Sequence, residues 1–228
     1  MRPAALIFDV FGTCVDWRRS IARAVAAALP GVDAEAFALA WRAEYDPAME
    51  PIRAGRRGYV ALDDLHRENL ARVLARQGLS VPDPAALARA WERLDPWPDV
   101  GPGLAALKEH AIIAPCSNGS IALMTRLARY AGLPWDCILG AEIARDYKPR
   151  AVVYEASCAA LRLAPEQVMM VAAHNDDLHA ARAAGLRTGF VPRPGEYGPG
   201  QTKDLGPDAD WDIVAADFGD LARQVATP

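Results

Sequence analysis

The first unbroken apolar run, Ala5, Leu6, Ile7 and Phe8, contains no polar position. Both faces of such a strand are apolar, the pattern of an interior strand in a parallel sheet. The run ends on Asp9, and Gly12 turns the chain. From residue 17 to 94 the period changes: Ile21, Val25 and Leu29 recur every fourth position, then Phe37 and Trp41, then Leu62, Leu65, Leu70, Val73 and Leu74. This spacing predicts a series of amphipathic helices with no strand among them. Pro30-Gly31, Asp46-Pro47 and Pro82-Asp83-Pro84 are read as the breaks between them, because proline disfavours helix in the residue before it. Near residue 95 a different order begins, with short strands predicted at 111–115, 137–140, 168–173, 188–191 and 213–215. Helices fall between them: one carrying Leu123, Leu127 and Ala131 up to Gly132, one over 149–161 and one over 179–184.

Strands separated by helices pair in parallel through right-handed crossovers. The expected fold is therefore α/β: a doubly wound, Rossmann-like parallel sheet from residues 1–15 and 95–228, with a helical cap, residues 16–94, inserted after the first strand. Pro192 to Gly206 is rich in proline and glycine and is read as a surface loop. There is no internal repeat.

Composition narrows the class. A chain of 228 residues, 52% of them apolar, accommodates one α/β core and a modest insertion. A formal charge of -4 provides no field to draw nucleic acid or an anionic membrane, so an anionic ligand needs a few local cations. Cys14, Cys116, Cys137 and Cys158 have neither zinc-site nor redox-pair spacing and read as reduced core thiols. Met1-Arg2-Pro3 runs directly into the first strand, leaving no room for a secretory leader, and no stretch approaches the roughly 18 apolar residues of a membrane span. A soluble, cytoplasmic protein is the expectation.

In a doubly wound sheet the carboxyl ends of the strands meet in one crevice. Four such ends carry chemistry here: Asp9 with Thr13, Ser117 with Asn118, Lys148, and the run His174, Asn175, Asp176, Asp177. Asp9 is either a nucleophile or a turn and helix cap. Two residues on stands Phe11, which donates no proton and suits no highly charged phosphate or metal. A lone aspartate beside an aromatic ring fits attack on carbon better than attack on phosphorus.

Taken in order, Asp-Val-Phe-Gly-Thr at 9–13, Trp41-Arg42, Ser117-Asn118-Gly119-Ser120, Tyr147-Lys148-Pro149 with Tyr154, and Asp177 resemble the haloacid dehalogenase superfamily, and in detail its type II members, the (S)-2-haloacid dehalogenases. The resemblance spans nearly the whole chain. It implies that Asp9 displaces halide from C2 of a short 2-haloalkanoate in line, with inversion, and that a water then releases the 2-hydroxy acid from an aspartyl ester. By the same resemblance Lys148 keeps Asp9 ionised, Thr13 orients it, and Asp177 activates the water. Arg42 receives the halide with help from Asn118, and Ser117 with nearby backbone amides binds the substrate carboxylate. Phe11 and Tyr45 line the apolar part of the pocket or pack the cap; Tyr154 ties the Lys148 network together or is core; Ser117 and Asn118 could equally cap the following helix. Asp176 is read as solvated or capping. A homodimer is implied, with a haloacid as the ligand, no nucleic acid or membrane partner, no metal and no cofactor.

Two departures are visible. Phosphatase relatives place a metal-binding Asp where this chain has Ala173, and the better-known type II enzymes carry Ser and Asn where it has Ala172 and His174. The first, with Phe11, argues for a metal-free reaction. The second leaves open whether His174 shares the activation of water, binds halide, shapes a smaller pocket or is merely hydrogen-bonded in its loop. A magnesium-dependent phosphatase and a non-catalytic carboxylate-binding protein are the competing readings.

Overall fold

The computed structural model describes residues 2–227. Met1, part of the amino-terminal reading above, lies outside them.

In chain order the strands are β1 Ala5–Phe8, β2 Val15–Asp16, β3 Asp95–Pro96, β4 Ile112–Ser117, β5 Leu139–Gly140, β6 Val168–Ala172, β7 Arg187–Phe190 and β8 Ile213–Val214. The helices are α1 Trp17–Ala28, α2 Ala34–Ala43, α3 Tyr45–Arg53, α4 Leu62–Gln77, α5 Pro84–Ala88, α6 Val100–Lys108, α7 Ile121–Ala131, α8 Ala141–Ala144, α9 Ala151–Leu161, α10 Asn175–Ala183 and α11 Phe218–Ala226.

Six strands form one parallel sheet in the order β5-β4-β1-β6-β7-β8. β1 lies at its centre, with Phe8 level with Pro115 of β4 and Val171 of β6. The winding reverses around β1, and the crevice of such a sheet opens at that reversal. The β1 side chains alternate between two layers of core: Leu6 and Phe8 pack with Leu104, Leu107, Phe218 and Leu221, whereas Ala5 and Ile7 pack with Val153, Leu178 and Phe190. Burial on both faces explains why β1 reads as a continuous apolar run.

Between β2 and β3 the chain is helical. Asp33 caps α2 by accepting from Ala36 N at 3.0 Å, and Gly78 ends α4 with φ 63°, a conformation glycine adopts without strain. Two details differ from the sequence reading. Val15 and Asp16 pair antiparallel with Pro96 and Asp95, a two-residue ribbon where the helical segment leaves and rejoins the sheet, too short to leave a period. Asp46-Pro47 does not separate helices: α3 begins at Tyr45, so Pro47 sits in its first turn, where a missing N–H breaks no bond. Cys14, Cys116 and Cys158 are buried and Cys137 half-buried, all as free thiols. Among the described residues, no helix is long and apolar enough to cross a membrane.

Candidate active site

Asp9 follows β1, its amide donating to Val171 O at 2.9 Å and its carboxylate pointing into the crevice beside β6. Gly12 makes the turn with φ 92°. The turn brings Thr13 back onto Asp9: its hydroxyl donates to Asp9 Oδ2 at 2.7 Å and accepts from Ala173 N at 2.9 Å. Turn-capping and orienting the carboxylate are thus one arrangement.

Lys148 Nζ lies 2.9 Å from Asp9 Oδ1 and 2.5 Å from Asp177 Oδ2, and its backbone amide donates to Asn118 Oδ1 at 2.8 Å. Tyr154 donates its phenolic proton to the other Asp177 oxygen at 2.5 Å. Tyr154 therefore acts in the network as well as in the core. α10 starts at Asn175 rather than at 179, which puts Asp177 in its first turn; four polar residues in a row had hidden that turn from the apolar pattern. Asp176 pairs with Lys203 in the open, as a solvated charge.

The remaining oxygen of Asp9, Oδ2, also faces His174 Nδ1 at 3.2 Å. The other ring nitrogen, Nε2, is 2.8 Å from Glu196 Oε2. Glu196 comes from the segment read as a surface loop, yet it is 1% exposed and accepts from Trp17 Nε1 at 2.8 Å. Its loop is held down by Arg193, which spans both oxygens of Asp99 at 2.9 Å each and donates to Thr13 O. An acidic residue among prolines and glycines reads as solvated, and only its contacts across 179 positions of sequence reveal otherwise.

These groups border a cavity of about 820 Å³ whose walls include Asp9, Phe11, Arg42, Tyr45, Asn118, Lys148, His174 and Asp177, together with Tyr197 and residues 200–204 of the same loop. Arg42 reaches it from the last turn of α2, its guanidinium 3.9 Å from the Tyr45 ring centre and 5.5 Å from that of Trp17. Its Nε has no hydrogen-bond partner, and it forms no ion pair among the described residues. A cation held over aromatic faces without a counter-ion is available to an anion. Phe11 meets Tyr45, His66 and Trp91 edge-on, so it packs the cap and lines the cavity at once. Thr13, Tyr154 and Ser117 stand outside the cavity wall, and whereas Thr13 bonds Asp9 and Tyr154 bonds Asp177, Ser117 bonds neither. It is fully buried, its hydroxyl accepts from Gly119 N at 3.1 Å, and it is not part of the cavity wall. It braces the turn after β4, and the cap of α7 is Ser120.

The electrostatics follow from burial and pairing. Burial alone would raise the Asp9 carboxyl, but Lys148 and His174 override it and hold Asp9 well below the usual carboxylate range. Burial, with Asp9 nearby, pushes Asp177 up against the pull of Lys148. Desolvation works against a charged Lys148, yet the two carboxylates keep it protonated. His174 likewise is desolvated, but Glu196 and Asp9 raise it well above the ordinary histidine value. The donor set does not suit a divalent ion: the space between Asp9 and Asp177 holds an ammonium, and Phe11 and Ala173 stand at the two positions that would add acid and ligand.

The model of the haloacid dehalogenase-like hydrolases matches residues 3–185. An (S)-2-haloacid dehalogenase of Xanthobacter autotrophicus is 31% identical over 83% of this chain and 75% of its own length. A solved defluorinating L-2-haloacid dehalogenase is 50% identical and superposes with a TM-score of 0.94 over 98% of this chain and 95% of its own. The X. autotrophicus L-2-haloacid dehalogenase structure with chloropropionic acid covalently bound is 27% identical, with a TM-score of 0.84 over 98% of each chain.

Proposed function

The chain belongs to the haloacid dehalogenase-like hydrolases, and on that footing we propose that it hydrolyses the carbon–halogen bond of haloacetates and short (S)-2-haloalkanoic acids, giving 2-hydroxy acids through an ester on Asp9. One observation carries the chemistry: a buried aspartate kept ionised by Lys148 shares its cavity with an arginine that forms no ion pair among the described residues. An ionised carboxylate is the nucleophile that displacement at carbon requires, and a free guanidinium is the partner that a departing halide requires.

In the first step an Asp9 oxygen forms a bond to C2 of the substrate as the carbon–halogen bond breaks, and the electron pair leaves with the halide toward Arg42. Lys148 and Thr13 fix the carboxylate for attack, and Asn118 sets Lys148 through its backbone amide. Phe11 and Tyr45 supply apolar wall around C2. In the second step water adds to the Asp9 ester carbonyl, the acyl C–O bond breaks, and the hydroxy acid departs. In-line displacement followed by cleavage at the acyl carbon inverts C2 once. We take residues 16–94 as the cap over a core of residues 1–15 and 95–228, place the enzyme in the cytoplasm because the sequence offers neither leader nor membrane span, and take it as a homodimer on the strength of the family resemblance.

Halide release from chloroacetate, fluoroacetate and each enantiomer of 2-chloropropionate, with chelator present and product chirality determined, tests the proposal. The expected result is turnover of chloroacetate and of the (S) enantiomer, with (R)-lactate as product. Fluoroacetate belongs in the panel because a 50% identical relative is named for defluorination. Magnesium-dependent release of phosphate from small esters without any halide release would replace this function with a phosphatase.

A further inference from the structure

We infer that Arg53 is a positioning residue for halide displacement: it fastens the end of α3 to the backbone of Lys148 and so sets Arg42, on the cap, against the nucleophile Asp9, on the core. The inference rests on the mechanism above, in which Asp9 attacks C2 from one side and the halide leaves toward Arg42 on the other.

The two charges come from different parts of the chain. Asp9 follows β1 and is held by Lys148 at 2.9 Å, whereas Arg42 lies in the last turn of α2, within the helical segment. In-line displacement needs both groups aligned on one carbon, and a misplacement of about 1 Å in such an alignment can cost about 100-fold in rate. Arg42 forms no ion pair among the described residues, so no counter-ion fixes its distance from Asp9. Something else must.

Helix α3 supplies the link. Its first residue, Tyr45, lies with its ring centre 3.9 Å from the Arg42 guanidinium. Its last residue, Arg53, has a side chain only 14% exposed; Nη1 donates to Lys148 O at 3.2 Å and Nη2 to Asp46 Oδ1 at 2.8 Å. The planar fork of a guanidinium serves two acceptors at once. One arm therefore folds back to the first turn of its own helix while the other grips the core. Tyr45 and Arg53 are about 12 Å apart along the helix axis, so fixing one end of this short rod fixes the other.

Lys148 is held at its other backbone group as well. Its amide donates to Asn118 Oδ1 at 2.8 Å, and the Asn118 side chain faces the Tyr45 hydroxyl. The residue that ionises Asp9 is thus tied to both ends of α3: its carbonyl directly by Arg53, its amide through Asn118 to Tyr45. The preceding residue adds a second fastening, because Tyr147 donates its hydroxyl to Val60 O at 2.6 Å and its ring centre lies 5.5 Å from that of Tyr59. Arg53 is not part of the cavity wall, so it acts on the reaction only through these contacts.

Steady-state halide release from bromoacetate and chloroacetate tests this in the wild type, Arg53→Gln, Arg53→Lys, Arg42→Gln and the double variant of Arg42→Gln with Arg53→Gln. Arg53→Gln is expected to lower kcat about 10-fold or more with KM unchanged, because it misaligns reacting groups without bordering the substrate. The ratio of bromoacetate to chloroacetate turnover should rise with it, since the poorer leaving group depends more on a well-placed cation. Arg53→Lys keeps a positive donor but loses the fork, and is expected to show both changes in smaller measure; it is the variant to read if Arg53→Gln does not fold. In the double variant the loss of Arg53 is expected to add nothing to the loss of Arg42, because both act on the same alignment. Losses that multiply in the double variant overturn the inference, as does a raised KM with unchanged kcat. Absence of any halide from the wild type overturns the dehalogenase function itself, whereas normal wild-type turnover with an unaltered kcat and halide ratio in the Arg53 variants overturns the positioning role alone.

Discussion

Lys148 Nζ sits 2.9 Å from Asp9 Oδ1 in a pocket where the lysine side chain is 7% and the aspartate side chain 10% exposed. The same ammonium is the counter-ion of Asp177. Removing it leaves the buried Asp177 without its ammonium and Asp9 with His174 alone. Lys148→Met is therefore expected to destabilise the fold by about 3–5 kcal/mol and to protonate one carboxyl at neutral pH. Urea unfolding read alongside halide release checks both; full stability combined with normal turnover would show that the pair does neither job.

Arg42 bears on the leaving group. The loss expected for Arg42→Gln is about 100-fold in turnover, similar to the loss of one preorganised donor at a developing charge. The poorer leaving group draws more on that charge, so the ratio of bromoacetate to chloroacetate turnover should rise. An unchanged ratio would remove Arg42 from the halide step.

Gly12 leaves room for the buried Glu196 carboxylate. Gly12→Ala places a methyl 2.2 Å from Glu196 Oε1 at φ 92°, so the Glu196 carboxylate must move. Overpacking of this kind destabilises by about 1–3 kcal/mol. Urea unfolding of Gly12→Ala measures that loss, and unchanged stability would contradict the close approach.

The dependence of stability on pH has a definite sign. His174 is raised in the folded state, so its contribution is complete below the unfolded histidine value of about 6.5 and is lost as pH rises through the folded value. Asp9 is lowered, so its contribution is present above about pH 4 and is lost as pH falls through its folded value. The gap in unfolding free energy between wild type and His174→Asn should accordingly be widest in mild acid and narrow toward alkaline pH. Denaturant titrations across that range would contradict the pairing if the gap widened instead.

Much of this site was legible from the chain alone, because strand ends in a doubly wound sheet must converge: Asp9, Lys148, Asn118 and Asp177 were found by that rule and by the order of their motifs. The start of α10 escaped because His174 through Asp177 offers no apolar period, although two acids in a first turn suit the helix dipole. The ribbon between β2 and β3 is too short for a pattern. Ser117 comes from the resemblance, and only the packing of the turn after β4 reveals that its hydroxyl accepts from Gly119 N away from the cavity wall. Glu196 had no local signal at all. Its burial comes from Trp17, His174 and a glycine turn that lie far away in sequence.

A single turnover in heavy-oxygen water, with enzyme in excess over chloroacetate, tests most directly whether Asp9 is the nucleophile. Attack by the carboxylate followed by cleavage at the acyl carbon puts the heavy atom into the peptide that carries Asp9 and leaves the first glycolate unlabelled. Heavy oxygen in that first glycolate, with none in Asp9, would mean that water attacks the carbon directly and that no ester forms.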